Sequence, residues 1–318
     1  MSQVVSHVIA SIGPASEASG EAARARVAGA GAPMLERLAY VLAAAQHTSR
    51  PRGSNRRILV AAGDHGAGDP GIAMGADHPT VIAARAIADG TAALCHVARS
   101  AATPIVVVDA GVREPTHMPG IAVQLGRGPS RNLIDEPAMT VVDAALGLEA
   151  GIALAMSLSE DGLDLLALGA LGVGSEVASA ALLGAATGRP VTGLRDDVAE
   201  AAAARGASYV CDSGQEQLAM FGGPETALLA GVIVGCASIN VPVILDGYAT
   251  GAAALIAAAL APPVTGYLVA AHRGTFTMPA ILAHLGLEPI FDVGLGHGEG
   301  TGAAMVLPLV DQVAAFSA

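Results

Sequence analysis

The residues of this chain best suited to chemistry lie near its C-terminus, in the turn Gly294-Leu-Gly-His-Gly-Glu-Gly300. Glu299 has glycine on both sides, and an apolar helical pattern follows from about Thr301 to Phe316. Glycine lets a backbone approach a ligand closely. A carboxylate placed there is either a charge stabilising the positive end of the next helix or a general base aimed into a pocket; residue types alone leave both open. A second glycine turn, Gly169-Ala-Leu-Gly-Val-Gly174, runs into Ser175 and Glu176. Its N–H groups at a helix start suit an anion, although the spacing is neither dinucleotide-binding nor P-loop and Glu176 would repel phosphate. Arg127 and Arg131 offer forked donors for phosphate or carboxylate, and equally fit surface ion pairs. Asp64, His65, Asp69, Asp77 and His78, with His272 and His297, are ligand types for Zn or Mn. No HExxH spacing accompanies them, and histidines in turns also serve as hydrogen-bonded structural residues. There is no Gly-x-Ser-x-Gly elbow.

The elements that must position these residues repeat. Strand patterns at Ile58–Ala62, Pro104–Asp109, Leu163–Leu168, Val241–Leu245 and Tyr267–Ala271 each end in a glycine, Asp or His turn; a short strand is also expected at Ser208–Cys211. Helical patterns lie between them, at Met34–Gln46, about Thr80–Ala98, Pro137–Ala155, Ser175 onward, Glu225–Ser238, up to Leu260, and Ile281–Leu285, while residues 1–30 are weakly patterned and Ala110–Glu136 reads as a loop. Strand, turn and helix in alternation predict an α/β fold, a parallel sheet with helices on both faces. Ligands of such sheets bind outside the carboxyl ends of the strands, where the turns at Asp64-His65, Gly169–Gly174, Asp246, His272 and Glu299 all fall. The helices at the two chain ends are expected to pair as a small helical subdomain (1–50 with 300–318) beside a large α/β domain (51–299).

Composition limits the partners. Sixteen basic against 28 acidic residues give a net charge of −12 with no basic stripe, which excludes nucleic acid as a reading. Forty glycines, 3% aromatics and no tryptophan imply a core of small residues at close backbone distance. Mean hydropathy is +0.55, and Ala227–Leu245 and Ala249–Ala261 are long apolar stretches. Asn240, Pro242, Asp246 and Pro262-Pro263 interrupt them and no Lys/Arg flanks orient them, so buried helices and strands are expected and no membrane. Three separated cysteines, Cys95, Cys211 and Cys236, read as buried thiols of a reducing cytoplasm. No signal peptide is visible at the N-terminus.

Several of these stretches together resemble the nicotinate-nucleotide:5,6-dimethylbenzimidazole phosphoribosyltransferases of cobalamin lower-ligand assembly. They are Ala62-Gly-Asp-His-Gly66, Arg131-Asn132 with Glu136-Pro-Ala-Met-Thr140, Val241-Pro-Val-Ile-Leu-Asp-Gly247 with Ala252-Ala-Ala-Leu255, Leu285-Gly-Leu-Glu-Pro289 and Gly298-Glu-Gly-Thr-Gly-Ala-Ala304. They occur in the family's order and cover about residues 30–316. The resemblance implies a Rossmann-like parallel sheet, a homodimer, and transfer of phosphoribose from nicotinate mononucleotide to an azole nitrogen with no cofactor or metal. It makes Glu299 the general base. It assigns Gly172, Gly174, Ser175, Glu176, Gly274 and Gly298 to the nucleotide and its phosphate. Asp64, His65, Met74, Asp77, Leu171 and Asp246 go to the acceptor pocket.

The chain departs from the family at both pockets. Ala170 stands where the family has Glu in Gly-Glu-Met-Gly-Ile-Gly-Asn-Thr, and Glu176 is a new acid. Gly274-Thr-Phe276 replaces Ser-Ala-Glu, Gly296 replaces an Arg, and Ala73-Met-Gly-Ala-Asp77 replaces Ser-Ala-Tyr-Pro-Gln. Altered substrates, or a non-catalytic paralogue that binds a nucleotide or azole, are the readings these changes leave beside the parent reaction. A metal hydrolase built on Asp64, His65 and His272 is a third.

Overall fold

A computed structural model describes residues 2–67, 71–125, 128–194, 196–296 and 298–317. In chain order the elements are α1 (Gln3–Ser11), α2 (Glu17–Val27), α3 (Pro33–Ala45), β1 (Arg56–Gly63), α4 (Pro79–Ala88), α5 (Ala93–Ser100), β2 (Ile105–Gly111), β3 (Val123–Gln124), α6 (Val141–Ser159), β4 (Leu165–Leu171), α7 (Ser175–Thr187), α8 (Asp197–Ser208), α9 (Gly214–Phe221), α10 (Pro224–Ser238), β5 (Val243–Leu245), α11 (Tyr248–Leu260), β6 (Leu268–Ala270), α12 (Met278–Leu285) and α13 (Thr301–Ser317). The six strands form one sheet in the order β3-β2-β1-β4-β5-β6, and every pairing is parallel. The fold is α/β and Rossmann-like. Strand order reverses direction between β1 and β4, so a crevice opens there at the carboxyl ends.

Side chains alternate across a strand, and both faces of this sheet are covered. Leu59, Ala61, Leu166, Leu168 and Leu245 join a core with α6, α7, α10 and α11. Ile58, Val60, Ala62, Leu165 and Ala167 join a second core with α2, α3, α5 and α13. That is why the strands read as continuous apolar runs rather than alternating ones. Helices α2, α3 and α13 pack against one another, whereas Val5 and Ile12, in and just after α1, lie in the core on the opposite face. The stretches 79–100 and 141–159 are long and apolar enough by length and composition to span a membrane. Both contribute buried side chains to the two cores, and α10 and α11 are almost wholly buried.

Some local expectations are corrected. The helix expected over Thr80–Ala98 is two, α4 and α5, parted at Gly90, whose φ is +70°. The expected strand at Ser208–Cys211 is the last residue of α8 followed by irregular chain. Its β-formers find no strand partner, and Val210 is 88% exposed. Helix α8 itself is alanine-rich, and Asp196 caps it by accepting from the N–H of Val198 and Ala199. Residues 1–30, weakly patterned in sequence, hold α1 and α2, each started by a serine cap.

Helix contacts rely on absent side chains. A Cβ on Gly151 of α6 would lie 2.1 Å from the Leu228 carbonyl oxygen, and one on Gly231 of α10 would lie 2.2 Å from that of Leu148. The backbones of α6 and α10 therefore touch directly. Gly151→Ala is expected to destabilise the protein by about 1–3 kcal/mol through overpacking, read as a lowered denaturant midpoint with an unchanged slope.

Candidate active site

The crevice holds a cavity of about 240 Å³ lined by residues from several neighbouring elements. Pro79, Thr80 and Ala83 come from α4; Ala170, Leu171, Gly172, Val173 and Ser175 from the β4–α7 turn; Tyr248 and Ala249 from the start of α11; and Gly296, Gly298 and Glu299 from the turn before α13. Glu299 thus faces the N-terminal turn of α7 across one space. That turn is capped by Gly174 (φ +83°) without a side-chain hydrogen bond, while the Ser175 hydroxyl donates to the Gly172 carbonyl at 3.0 Å.

The Glu299 turn is fixed from behind. The Ala170 N–H donates to the Gly298 carbonyl at 3.0 Å. A Cβ on Gly169 would meet the Glu299 carbonyl at 2.4 Å, so β4 and this turn are in direct backbone contact. From the end of β5, Asp246 accepts the Gly300 N–H at 2.8 Å and the Ala303 N–H at 2.9 Å. On the opposite wall, Asp64 accepts from the Thr80 hydroxyl at 2.5 Å, the Val173 N–H at 2.9 Å and the Arg113 N–H at 2.8 Å. Both aspartates are fully buried.

The predicted site residues therefore divide. Leu171, Gly172, Ser175, Gly298 and Glu299 share the cavity. Gly174 and Glu176 belong to the α7 start just beside it. Asp64, His65 and Asp246, expected in the acceptor pocket, are buried behind its walls and hold loops together. Met74 is 55% exposed, Asp77 is exposed in a short helical turn (Gly75–Asp77), and Gly274 donates its N–H to His272 Nδ1; these three do not line the cavity. Asp69, Arg127 and His297 lie outside the described residues. Arg131 bonds the Pro137 carbonyl and pairs with Glu136 at 3.5 Å, in keeping with the surface-loop reading. Among the described residues, no three His, Cys, Asp or Glu side chains gather in a metal-holding group.

Sequence reading missed Thr80, Ala83, Val173, Tyr248 and Ala249. Tyr248 was findable, since it follows a strand-ending Asp-Gly. Its ring packs 5.6 Å from that of Phe276, and burial, with Glu176 adding, pushes its hydroxyl up to about 12. It is therefore a neutral donor at working pH. Glu225 was also missed, because no local pattern couples it to a residue 160 positions away. It meets His65 Nε2 at 2.9 Å in full burial, while Ser130 Oγ lies 3.4 Å from His65 Nδ1.

Geometry and fold together define a doubly wound α/β protein with a carboxylate facing a glycine-rich helix start across a cavity at the switch point. A family model described as "Phosphoribosyltransferase" matches residues 12–318. The nicotinate-nucleotide--dimethylbenzimidazole phosphoribosyltransferase of Roseiflexus sp. (strain RS-1) is 37% identical over 344 residues, covering 98% of this chain and 96% of the relative. That of Chloroflexus aurantiacus is 34% identical, covering 99% and 97%. The crystal structure of the Thermus thermophilus enzyme of the same name superposes with a TM-score of 0.84 at 30% identity, over 95% of this chain and 96% of that one. This chain belongs to the nicotinate-nucleotide–dimethylbenzimidazole phosphoribosyltransferase family, a family of pentosyltransferases.

The His65–Glu225 pair makes stability pH-dependent. Burial pushes the His65 ring's pKa down, but the Glu225 carboxylate, with Asp64 and Glu176 adding, outweighs this and raises it above the ordinary 6.5. A raised folded-state value stabilises fully below about pH 6.5 and loses that contribution as pH climbs through it. The melting-temperature advantage of the wild type over His65→Gln is expected to be largest below about pH 6.5 and to shrink as pH rises above it, checked by thermal melts at a series of pH values.

Proposed function

We propose that this chain transfers phosphoribose from nicotinate mononucleotide to 5,6-dimethylbenzimidazole or a similar azole, with Glu299 as the general base. The observation that carries the reading is Glu299 facing the α7 turn across one cavity. An azole ring nitrogen attacks C1′ of the ribose, the bond from C1′ to the pyridinium nitrogen breaks, and nicotinate leaves with its ring neutralised. The proton on the azole passes to Glu299. A carboxylate in a partly water-excluded turn among glycines suits that transfer. The N–H groups at the start of α7 favour the negative phosphate, with the Ser175 hydroxyl beside them. Glu176 in the same turn opposes phosphate, so the donor's anion belongs nearest the Gly172–Ser175 backbone and away from that side chain. Tyr248 supplies an aromatic face and a neutral hydroxyl to the same space. The same reading expects a homodimer working in the cytoplasm, to be tested by light scattering and cell fractionation.

Purified protein incubated with nicotinate mononucleotide and dimethylbenzimidazole is expected to release nicotinate and one equivalent of the ribotide. Glu299→Gln is expected to lower kcat by about 10²–10⁴-fold with little change in melting temperature. Absence of ribotide with dimethylbenzimidazole and with a panel of other azoles would overturn the reading.

A further inference from the structure

Asp246 lies one wall behind the cavity, and its carboxylate does not touch that space. Both of its oxygens are engaged by the segment that carries Glu299. Oδ2 accepts from the Gly300 N–H, the peptide joining Glu299 to the helix, and Oδ1 from the Ala303 N–H in the first turn of α13. A helix start leaves such N–H groups without intrahelical partners. Here the acceptor comes from the end of β5, 54 residues away, rather than from the preceding turn. Asp246 is itself held, because its N–H donates to the Thr250 hydroxyl at 3.0 Å.

The neighbouring residues are shaped to admit this carboxylate. A Cβ on Gly302 would lie 2.5 Å from Asp246 Oδ1 and 2.3 Å from His272 Cδ2. His272 Nδ1 accepts the Gly274 N–H, so the ring's other nitrogen carries the proton, and it sits 3.3 Å from Asp246 Oδ1 without aligning as a hydrogen bond. The buried anion thus has two backbone donors and a histidine edge around it.

We propose that Asp246 is the positioning residue for Glu299, capping α13 from the adjacent strand so that the turn's carboxylate is aimed into the cavity and the helix's positive end is neutralised behind it. The first effect is geometric: the Gly300 peptide cannot rotate without breaking a charge-assisted hydrogen bond. The second is electrostatic. An uncompensated helix N-terminus stabilises a nearby carboxylate and makes it a weaker base; the Asp246 charge opposes that. Among the described residues, the other titratable groups around the turn are His272 after β6, Cys95 on α5, whose thiol feels the Glu299 charge, and Glu176 on α7. None of these three bonds the Gly300 or Ala303 amide, which both donate to Asp246.

The inference rests on the proposed transferase reaction, and its test separates the two. In Asp246→Asn, the amide keeps one acceptor oxygen but turns an NH₂ toward a backbone N–H and removes the charge. Its kcat for ribotide formation is expected to fall about 30–100-fold, in line with the cost of displacing a catalytic group by about 1 Å. KM for both substrates should stay within about threefold, because the cavity lining is untouched. The acid limb of the kcat–pH profile should move down by about half to one unit, the size of a helix-end effect. Gly302→Ala, which pushes the carboxylate aside but keeps its charge, should lower kcat without moving that limb. Hydrogen exchange at the Gly300 and Ala303 amides should quicken in both variants. Loss confined to KM, kcat within twofold of wild type, or unchanged exchange would overturn the proposal. Should Asp246→Asn not fold, Gly302→Ala decides the positioning role by the same kcat and exchange criteria. Should the wild type itself make no ribotide, the reaction reading fails alone, and amide exchange still decides whether Asp246 holds the turn.

Discussion

Two buried aspartates at the carboxyl ends of β1 and β5 hold the functional edge of this molecule together. A buried carboxylate is tolerated only when hydrogen-bonded, and each of these is satisfied by groups from loops far away in sequence. Asp64 after β1 gathers Thr80, Val173 and Arg113. Asp246 after β5 gathers Gly300 and Ala303. The two walls of the cavity are consequently tied to strand ends that cannot move independently, since β1, β4 and β5 lie side by side. Removing either carboxylate would leave several buried donors unmet at once.

The second constraint is closeness. Gly169 lets the Glu299 peptide rest on β4, Gly172 lets its turn rest on the Gly63 carbonyl, and Gly302 admits Asp246 and His272. Small residues on α6, α7, α8 and α10 do the same between helices. A sheet covered at such short range leaves little slack, which suits the proposed role of Glu299, whose carboxylate would have to meet a ligand in a defined orientation. The low aromatic content, with Tyr248 as the ring on the cavity wall, follows from the same tight limit on volume.

Much of the architecture was legible in the chain. Continuous apolar runs ending in glycine, Asp or His marked the buried parallel strands, and the turns at their ends marked the ligand edge. The ordered set of short motifs also pointed to the family, and full-length relatives agree with it. Less was legible where local chemistry is ambiguous. Alanine-rich α8 and the serine-capped α2 gave weak patterns, because most of what they bury is alanine and glycine rather than large side chains, and α1 is short and buries Val5. Ser208–Cys211 has strand-forming residues but no partner to pair with.

The chain's residue types determined which groups are available: a glycine-flanked Glu299, a glycine turn before Ser175, and aspartates ending strands. Strand patterns and turn composition also determined that these groups lie on one edge of a parallel sheet, since those signals are local. Only the tertiary structure decided which of them face the cavity. Asp64, His65 and Asp246 look like site residues in sequence, yet packing turns them inward to satisfy backbone donors and Glu225, while Thr80, Val173 and Tyr248 form the wall. The direction of a side chain at a strand end depends on which distant N–H groups or charges reach it, and no local pattern encodes that.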